Sequence, residues 1–147
     1  RNCTWRCSML NLKEYLTDNT LFRLENVRFD IDDRDDLEES KITLKDTVGI
    51  RAIEGNALDL SVTREVNAEG MFNISVTYDV LRFAEDGEKE IDIEGSEDDI
   101  MSQIMEDIDF YIGYTMNKTS CLISSITSSY GLDPLITPPV FVEEDGE

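Results

Sequence analysis

The chain contains no histidine, so the side chain most often used as a general base near neutral pH is missing. Its three cysteines, Cys3, Cys7 and Cys121, are an odd number. They show no four-ligand zinc spacing and have no evident basic activator. Cys3 and Cys7 are spaced so that they can pair, but reduced thiols suit the sequence better. Carboxylate chemistry remains, since 33 of the 147 residues are Asp or Glu. In so acidic a chain close carboxylate pairs arise by chance, and they read as solvated surface before they read as an acid–base pair. The stretch DIDDRDD, residues 30–36, offers oxygen ligands for calcium. It lacks the glycine of an EF-hand loop and its alternation breaks at Arg34, so a solvated loop fits it better. No glycine-rich phosphate loop occurs. No catalytic residue, metal ligand or cofactor is therefore expected, and the chain does not read as an enzyme.

The formal net charge of −20 argues against nucleic-acid phosphates and against insertion into anionic membranes. It suits cationic partners, or the solubility of a protein with exposed apolar surface. A hydrophobic fraction of 40% points to a globular chain, and 147 residues to one domain. No apolar run reaches the roughly eighteen residues of a membrane span. The start, RNCTWRCSMLNLKEYL, lacks the apolar core and small-residue site of a signal peptide, so a cytoplasmic protein is expected. Residues 1–20 read as an N-terminal extension, partly disordered or foreign to the native start, with Met9 as an alternative first residue. Residues 21–142 read as the domain and 143–147 as an acidic tail.

These residues must be positioned by strands first and a helix last. LFRLENVRFDI (21–31) alternates with a slip: Phe22 and Leu24 share one parity, while Val27, Phe29 and Ile31 share the other. One bulge near Glu25–Asn26 accounts for it. ITLKDTVGIRAI (42–53) is weakly strand-like, with Val48, Ile50 and Ala52 on one parity. ALDLSVTREV (57–66) places Leu58, Leu60 and Val62 inward. MFNISVTYDVLRF (71–83) places Phe72, Ile74, Val76, Tyr78 and Val80 on one face. With NAEG between them, these two runs predict a hairpin. EIDIEG (90–95) adds at most a short strand.

From Asp98 to Tyr130 the period becomes helical. Ile100, Ile104, Ile108 and Tyr111 form one row, and Met101, Met105, Ile112 and Met116 a second; Leu122, Ile123 and Ile126 continue the pattern. Ser96 with Asp99 resembles a capping box, Gly131 suits a C-terminal cap, and Pro134 ends the helix. Gly113 is expected to kink or divide it. The expected fold class is α+β: a four-stranded antiparallel sheet, either complete or with three long strands and one short, packed with a long C-terminal helix. The helix is apolar around more of its circumference than one packing face needs, so Ile108, Tyr111, Ile112, Met116 and Ile123 are candidates for an oligomer interface.

The hairpin ALDLSVTREVNAEGMFNISVTYDV resembles the central hairpin of the SecB export chaperones. The bulged first strand resembles that family's opening strand, and TSCLISSITSSYG resembles its helix end. Pro134, Leu135–Ile136 and Pro139-Val140-Phe141 stand where the family has a proline, an apolar loop and a proline-led segment. The likeness runs over about residues 21–142. It departs from the family in a shorter loop after Gly131, in a terminal helix expected to be missing or vestigial, in extra residues at 42–53, and in little sequence for the fourth strand at 90–94.

The resemblance implies a homotetramer, a dimer of dimers, acting as an ATP-independent holdase. Its clients are unfolded polypeptides or preproteins, bound in apolar grooves. By position, the groove walls are Leu37, Ile42, Leu44, Leu132, Leu135, Ile136, Val140 and Phe141; strapping over the sheet is the other reading of the terminal segment. Four copies would carry a charge of about −80, enough to keep apolar surface soluble. The family docks the motor ATPase of the Sec translocase through acidic sheet residues. Asp30 matches one such position, but Asn26 stands where its acidic companion would be. Protein export and the guarding of an antitoxin in a toxin–antitoxin pair are the two uses in view. A non-chaperone oligomeric adaptor is the alternative.

Overall fold

Four alternating runs and one helical stretch follow one another along the chain, and each becomes an element. The computed structural model describes residues 12–32, 41–86, 89–90, 93 and 95–143. In order these are α1 (Leu12–Tyr15), β1 (Leu16–Ile31), β2 (Ile42–Glu54), β3 (Ala57–Ala68), β4 (Phe72–Asp86), β5 (Lys89–Glu90), α2 (Glu97–Glu106) and α3 (Ile108–Tyr130). The sheet is antiparallel, in the order β1-β4-β3-β2, with β5 paired to the end of β4. The fold class is α+β, a curled sheet with a C-terminal helix.

The β3–β4 hairpin forms the centre. Leu58, Leu60, Val62 and Val66 face Arg82, Val80, Tyr78 and Ile74 across the ladder. Every even-numbered residue of β3 and of β4 from Phe72 to Ala84 is buried, because a period of two sends them all to one side. The turn closes with Met71 N–H donating to Ala68 O at 2.8 Å, and Gly70 takes a φ of 79° there. A side chain at that φ is strained, and glycine is not.

The first strand begins five residues earlier than its alternation suggested, at Leu16. Its expected bulge is present. The register slips between Leu24 and Asn26, so Leu24 faces Tyr78 and Val27 faces Val76, and both halves keep their apolar residues on the helix side.

Three expectations need correction. The run 42–53, which reads as only weakly strand-like and as extra to the family, is the long fourth strand β2, paired along β3 through twelve positions, while near 90–94 the described pairing is the short Lys89–Glu90 on β4. Within β2, Ala52 faces outward opposite Asp59, because a second bulge between Ile50 and Ala52 reverses the parity. The helix divides at Asp107 (φ −142°, ψ 53°) and not at Gly113, which lies inside an unbroken α3. Ser96 caps α2 as expected, its hydroxyl accepting from Asp99 N–H at 3.1 Å.

Parity makes a sharp test. Deleting Glu25 removes the bulge and leaves Leu24 and Val27 on the inward face, so circular dichroism should show a folded protein. Deleting Ser75 sends Val76, Tyr78 and Val80 outward and should give a chain with no cooperative urea transition.

Candidate binding surface

α3 packs on β4 and β3, the two central strands. That leaves two flanks of the inward face, over β2 and over β1.

The β2 flank is covered by residues 131–142. Gly131 ends α3 at φ 106°, with Leu132 N–H donating to Thr127 O at 3.0 Å. The chain then turns back along the helix. Leu135 N–H donates to Thr127 Oγ1 at 2.8 Å, and Ser120 Oγ donates to Thr137 O at 2.6 Å. Prolines 138 and 139 lack N–H groups, so this strap is rich in acceptors and poor in donors. Arg64 supplies the donors. Its even number places it on the core face of β3, where its side chain is 0% exposed. Nε and Nη2 donate to the two oxygens of Asp46 at 2.7 Å each. Nη1 donates to Thr137 Oγ1 at 2.9 Å and to Pro138 O at 2.6 Å; Nη2 donates also to Val140 O at 2.8 Å. Asp46, its register partner on β2, accepts Val142 N–H at 2.8 Å as well.

The predicted groove walls divide accordingly. Leu44, Leu132, Leu135 and Phe141 are half-buried against the core, so most of the segment is a strap. Ile42, Val140 and Ile136 are exposed, Ile136 by 75%. Leu37 lies outside the described residues. The interface reading also moves: Tyr111, Ile112, Met116 and Ile123 are buried in the chain's own core, and Ile108 is half-buried. Sheet, strap and α2 take up part of the helix's apolar circumference, and those five residues do not form an open face.

The β1 flank is open, and the sequence reading missed it. Phe22 meets Tyr114 edge-on at 5.1 Å, and Phe29 meets Tyr130 at 5.5 Å. Between strand and helix runs a shallow, widely open apolar cleft lined by Phe29, Leu122, Ser125, Ile126, Ser129 and Tyr130. Leu24, Val27 and Ile31, on the inward parity of the same edge strand, are exposed. The signal was the row Leu122, Ile126, Tyr130 at helical spacing opposite the second parity of β1.

Little else here supports chemistry. Burial pushes the Tyr78 and Tyr111 hydroxyls up, which keeps both neutral. Cys121 is exposed. Among the described residues no group of three or more acids or cysteines is placed to hold a metal ion, and no helix is long and apolar enough to cross a membrane. Asp30 is exposed and ion-paired to Arg28 at 2.7 Å.

The order β1-β4-β3-β2, backed by a C-terminal helix and a proline strap, is a SecB-like fold. No protein-family model and no curated protein matches the sequence. Among solved structures, the Mycobacterium tuberculosis Rv1957 SecB-like chaperone, in complex with a ChAD peptide from the Rv1956 HigA1 antitoxin, superposes with a TM-score of 0.64. It covers 88% of this chain and 90% of that chain at 11% identity. A protein of unknown function from Streptococcus agalactiae aligns over 82% of this chain and 97% of that chain, at 8% identity and a TM-score of 0.38, too low to carry an argument.

Removing one partner of a sealed ion pair strands the other. Arg64→Met should therefore cost about 3–5 kcal/mol in urea unfolding and release the strap, read as lost exchange protection at the Val142 amide. Asp46→Leu added to Arg64→Met should recover part of that loss.

Proposed function

We propose that this protein is a SecB-like, ATP-independent holdase and not an enzyme. The observation that carries the reading is the open apolar cleft between β1 and α3 on a SecB-like fold. An extended, unfolded chain lays apolar side chains into the cleft, each contributing about 25 cal/mol per Å² buried. Exposed Ile136 and Val140 on the strap add a second, weaker contact, and several weak sites together give avidity. The acidic surface keeps such a protein soluble and draws cationic segments of clients. A cytoplasmic location fits this role.

The chain associates as a homo-oligomer, a dimer of dimers in the form the resemblance implies. β1 supports this: among the described residues it is an edge strand of 16 residues, and an edge of that length invites a second copy. Light scattering should give a multiple of 16.8 kDa; a strict monomer would remove the oligomer from the proposal.

Of the two uses, guarding an antitoxin is favoured over export, because the solved neighbour holds an antitoxin peptide. Docking of the Sec motor at Asp30 has less support, since Arg28 already neutralises that carboxylate. A non-chaperone adaptor on the same scaffold would bind partners yet protect nothing.

The test is aggregation of a chemically unfolded model client, followed by light scattering. Several-fold molar excess of the wild type should suppress it. Tyr130→Asp should remove most of the protection, and Ile136→Asp a smaller part; Ile136→Asp should keep the unfolding free energy within about 0.5 kcal/mol because its side chain is exposed, while Tyr130→Asp also gives up the edge contact with Phe29. No protection by the wild type would sink the holdase and leave the adaptor.

A further inference from the structure

The face of the sheet turned away from α3 carries a feature that the holdase reading does not use. Each edge strand has a one-residue bulge, in β1 besides a register shift between Leu16 and Thr20, and the two extra residues meet. In β1 the residue left over is Glu25, and in β2 it is Arg51. They form a two-pronged ion pair, with Arg51 Nη2 to Glu25 Oε1 at 2.7 Å and Nη1 donating to Oε2. β4 and β3 lie between the two strands, so the pair ties one edge of the sheet to the other. Flat, those edges would stand about 14 Å apart; curl, sharpened by the bulges, brings them within reach.

Between the two edges, on the same outward face, lie Asp59 of β3 and Asp79 of β4, diagonal neighbours across the ladder. The Asp79 side chain is only 5% exposed. Asp59 Oδ1 and Asp79 Oδ1 are both buried without a hydrogen-bond partner. Two adjoining carboxylates with an unanswered oxygen each lack one proton, and a single shared proton answers both. The charged groups facing this pair come from every neighbouring strand. β2 supplies Arg51, with Nε 3.9 Å from Asp79 Oδ1, and Glu54, which lines a small cavity with Asp59. β1 supplies Arg23, with Nη2 3.4 Å from Asp79 Oδ2, and Glu25.

We propose that these four residues form a proton-gated latch on the curl of the sheet. With one proton shared by Asp59 and Asp79, Arg51 is left to Glu25 and the edges are tied. When that proton leaves, the aspartate pair draws Arg51 to itself, Glu25 is released, and β1 and β2 part on this face.

The titration behaviour of the cluster agrees with its geometry. Burial, then the neighbouring Asp79, pushes Asp59 up from 3.8 to about 6. The folded state thus holds a proton that the unfolded chain gives up. The stability it contributes is complete below 3.8 and lost as pH rises through about 6. Glu25 runs the other way. Its bond to Arg51 holds it below 4.5, so its contribution is present above 4.5 and lost as pH falls. The latch is shut in the window between 4.5 and about 6.

Carboxyl-carbon NMR with hydrogen exchange tests this in the full chain. Asp59 should titrate near 6. Exchange at the amides flanking Glu25 and Arg51, corrected for intrinsic rate, should rise roughly tenfold between about pH 5 and pH 7.5. That is well inside the factor of about 100 that such a displacement can carry. In Asp59→Asn the amide donates to Asp79 permanently, and the rise should vanish. A midpoint near 3.8 for Asp59, or an Asp59→Asn protein that still shows the rise, would overturn the latch. Should that variant not fold, Glu25→Gln gives the answer: Asp59 keeps its titration and the edge amides exchange fast at both pH values. Wild-type exchange in Glu25→Gln would overturn the latch too.

Discussion

A guanidinium sealed from water must give each of its five N–H groups an acceptor, because an orphaned buried donor costs about 1–3 kcal/mol and an orphaned charge more. Arg64 meets that demand in full, with two bonds to Asp46 and three to the strap. The consequences spread outward. Asp46 has to sit on the inward parity of β2, which fixes how that edge strand registers on β3. Residues 137–142 have to bring a hydroxyl, two carbonyls and an N–H to one point. Two successive prolines, with their fixed φ, limit the paths that do so. A more apolar strap would fill the volume equally well, but it would leave the carbonyls of a donor-poor segment unanswered.

The same device recurs at the other end of the core face. Arg82, on the inward parity of β4, donates to Phe110 O and Tyr111 O in the first turn of α3 and lies 5.0 Å over the Phe110 ring. The two arginines pin the helix start and the strap that follows its end onto the same hairpin. Both cations are buried, in a chain with only 13 of them against 33 acids. Two aspartates, Asp46 and Asp79, are buried as well, so the water-facing surface still carries nearly the whole net charge of −20, which suits a protein that keeps an apolar cleft exposed.

Where one residue type in one period decided the outcome, the structure was readable from the sequence. The hairpin, the β1 bulge, the Ser96 cap and the Gly131 stop all belong to that class. β2 was obscured by the very residues that matter most to it. Asp46 puts a charge on the inward parity, and Arg51 is an extra residue that reverses the alternation, so the run reads as weak. Their partners, Arg64 and Glu25, are distant in sequence. Only the ladder brings them opposite, and no local pattern announces that. The clue available was a pair of opposite charges, Asp46 and Arg64, each interrupting an otherwise apolar parity. The break at Asp107 was hidden for a different reason: the apolar rows continue through it, so the helical period does not register the interruption.

The open flank follows from how much chain remains to cover the sheet. One helix shields the two central strands, and a single strap returns on the β2 side, where Arg64 and Asp46 recruit it. No described segment plays that part for β1, whose inward residues Leu24, Val27 and Ile31 stay exposed beside Tyr130. Arg82, buried on the neighbouring strand, directs its donors to the start of α3 and to Thr17 O of β1 itself, and Leu24, Val27 and Ile31 carry no polar side-chain group for a strap to answer. The apolar contacts there are aromatic edges, Phe22 on Tyr114 and Phe29 on Tyr130, which fix the helix against the strand without sealing the gap between them. A polar anchor specifies one partner; an aromatic-lined cleft accepts any chain that brings apolar side chains to it. The asymmetry between the two flanks thus separates a permanently strapped side from one suited to transient occupants.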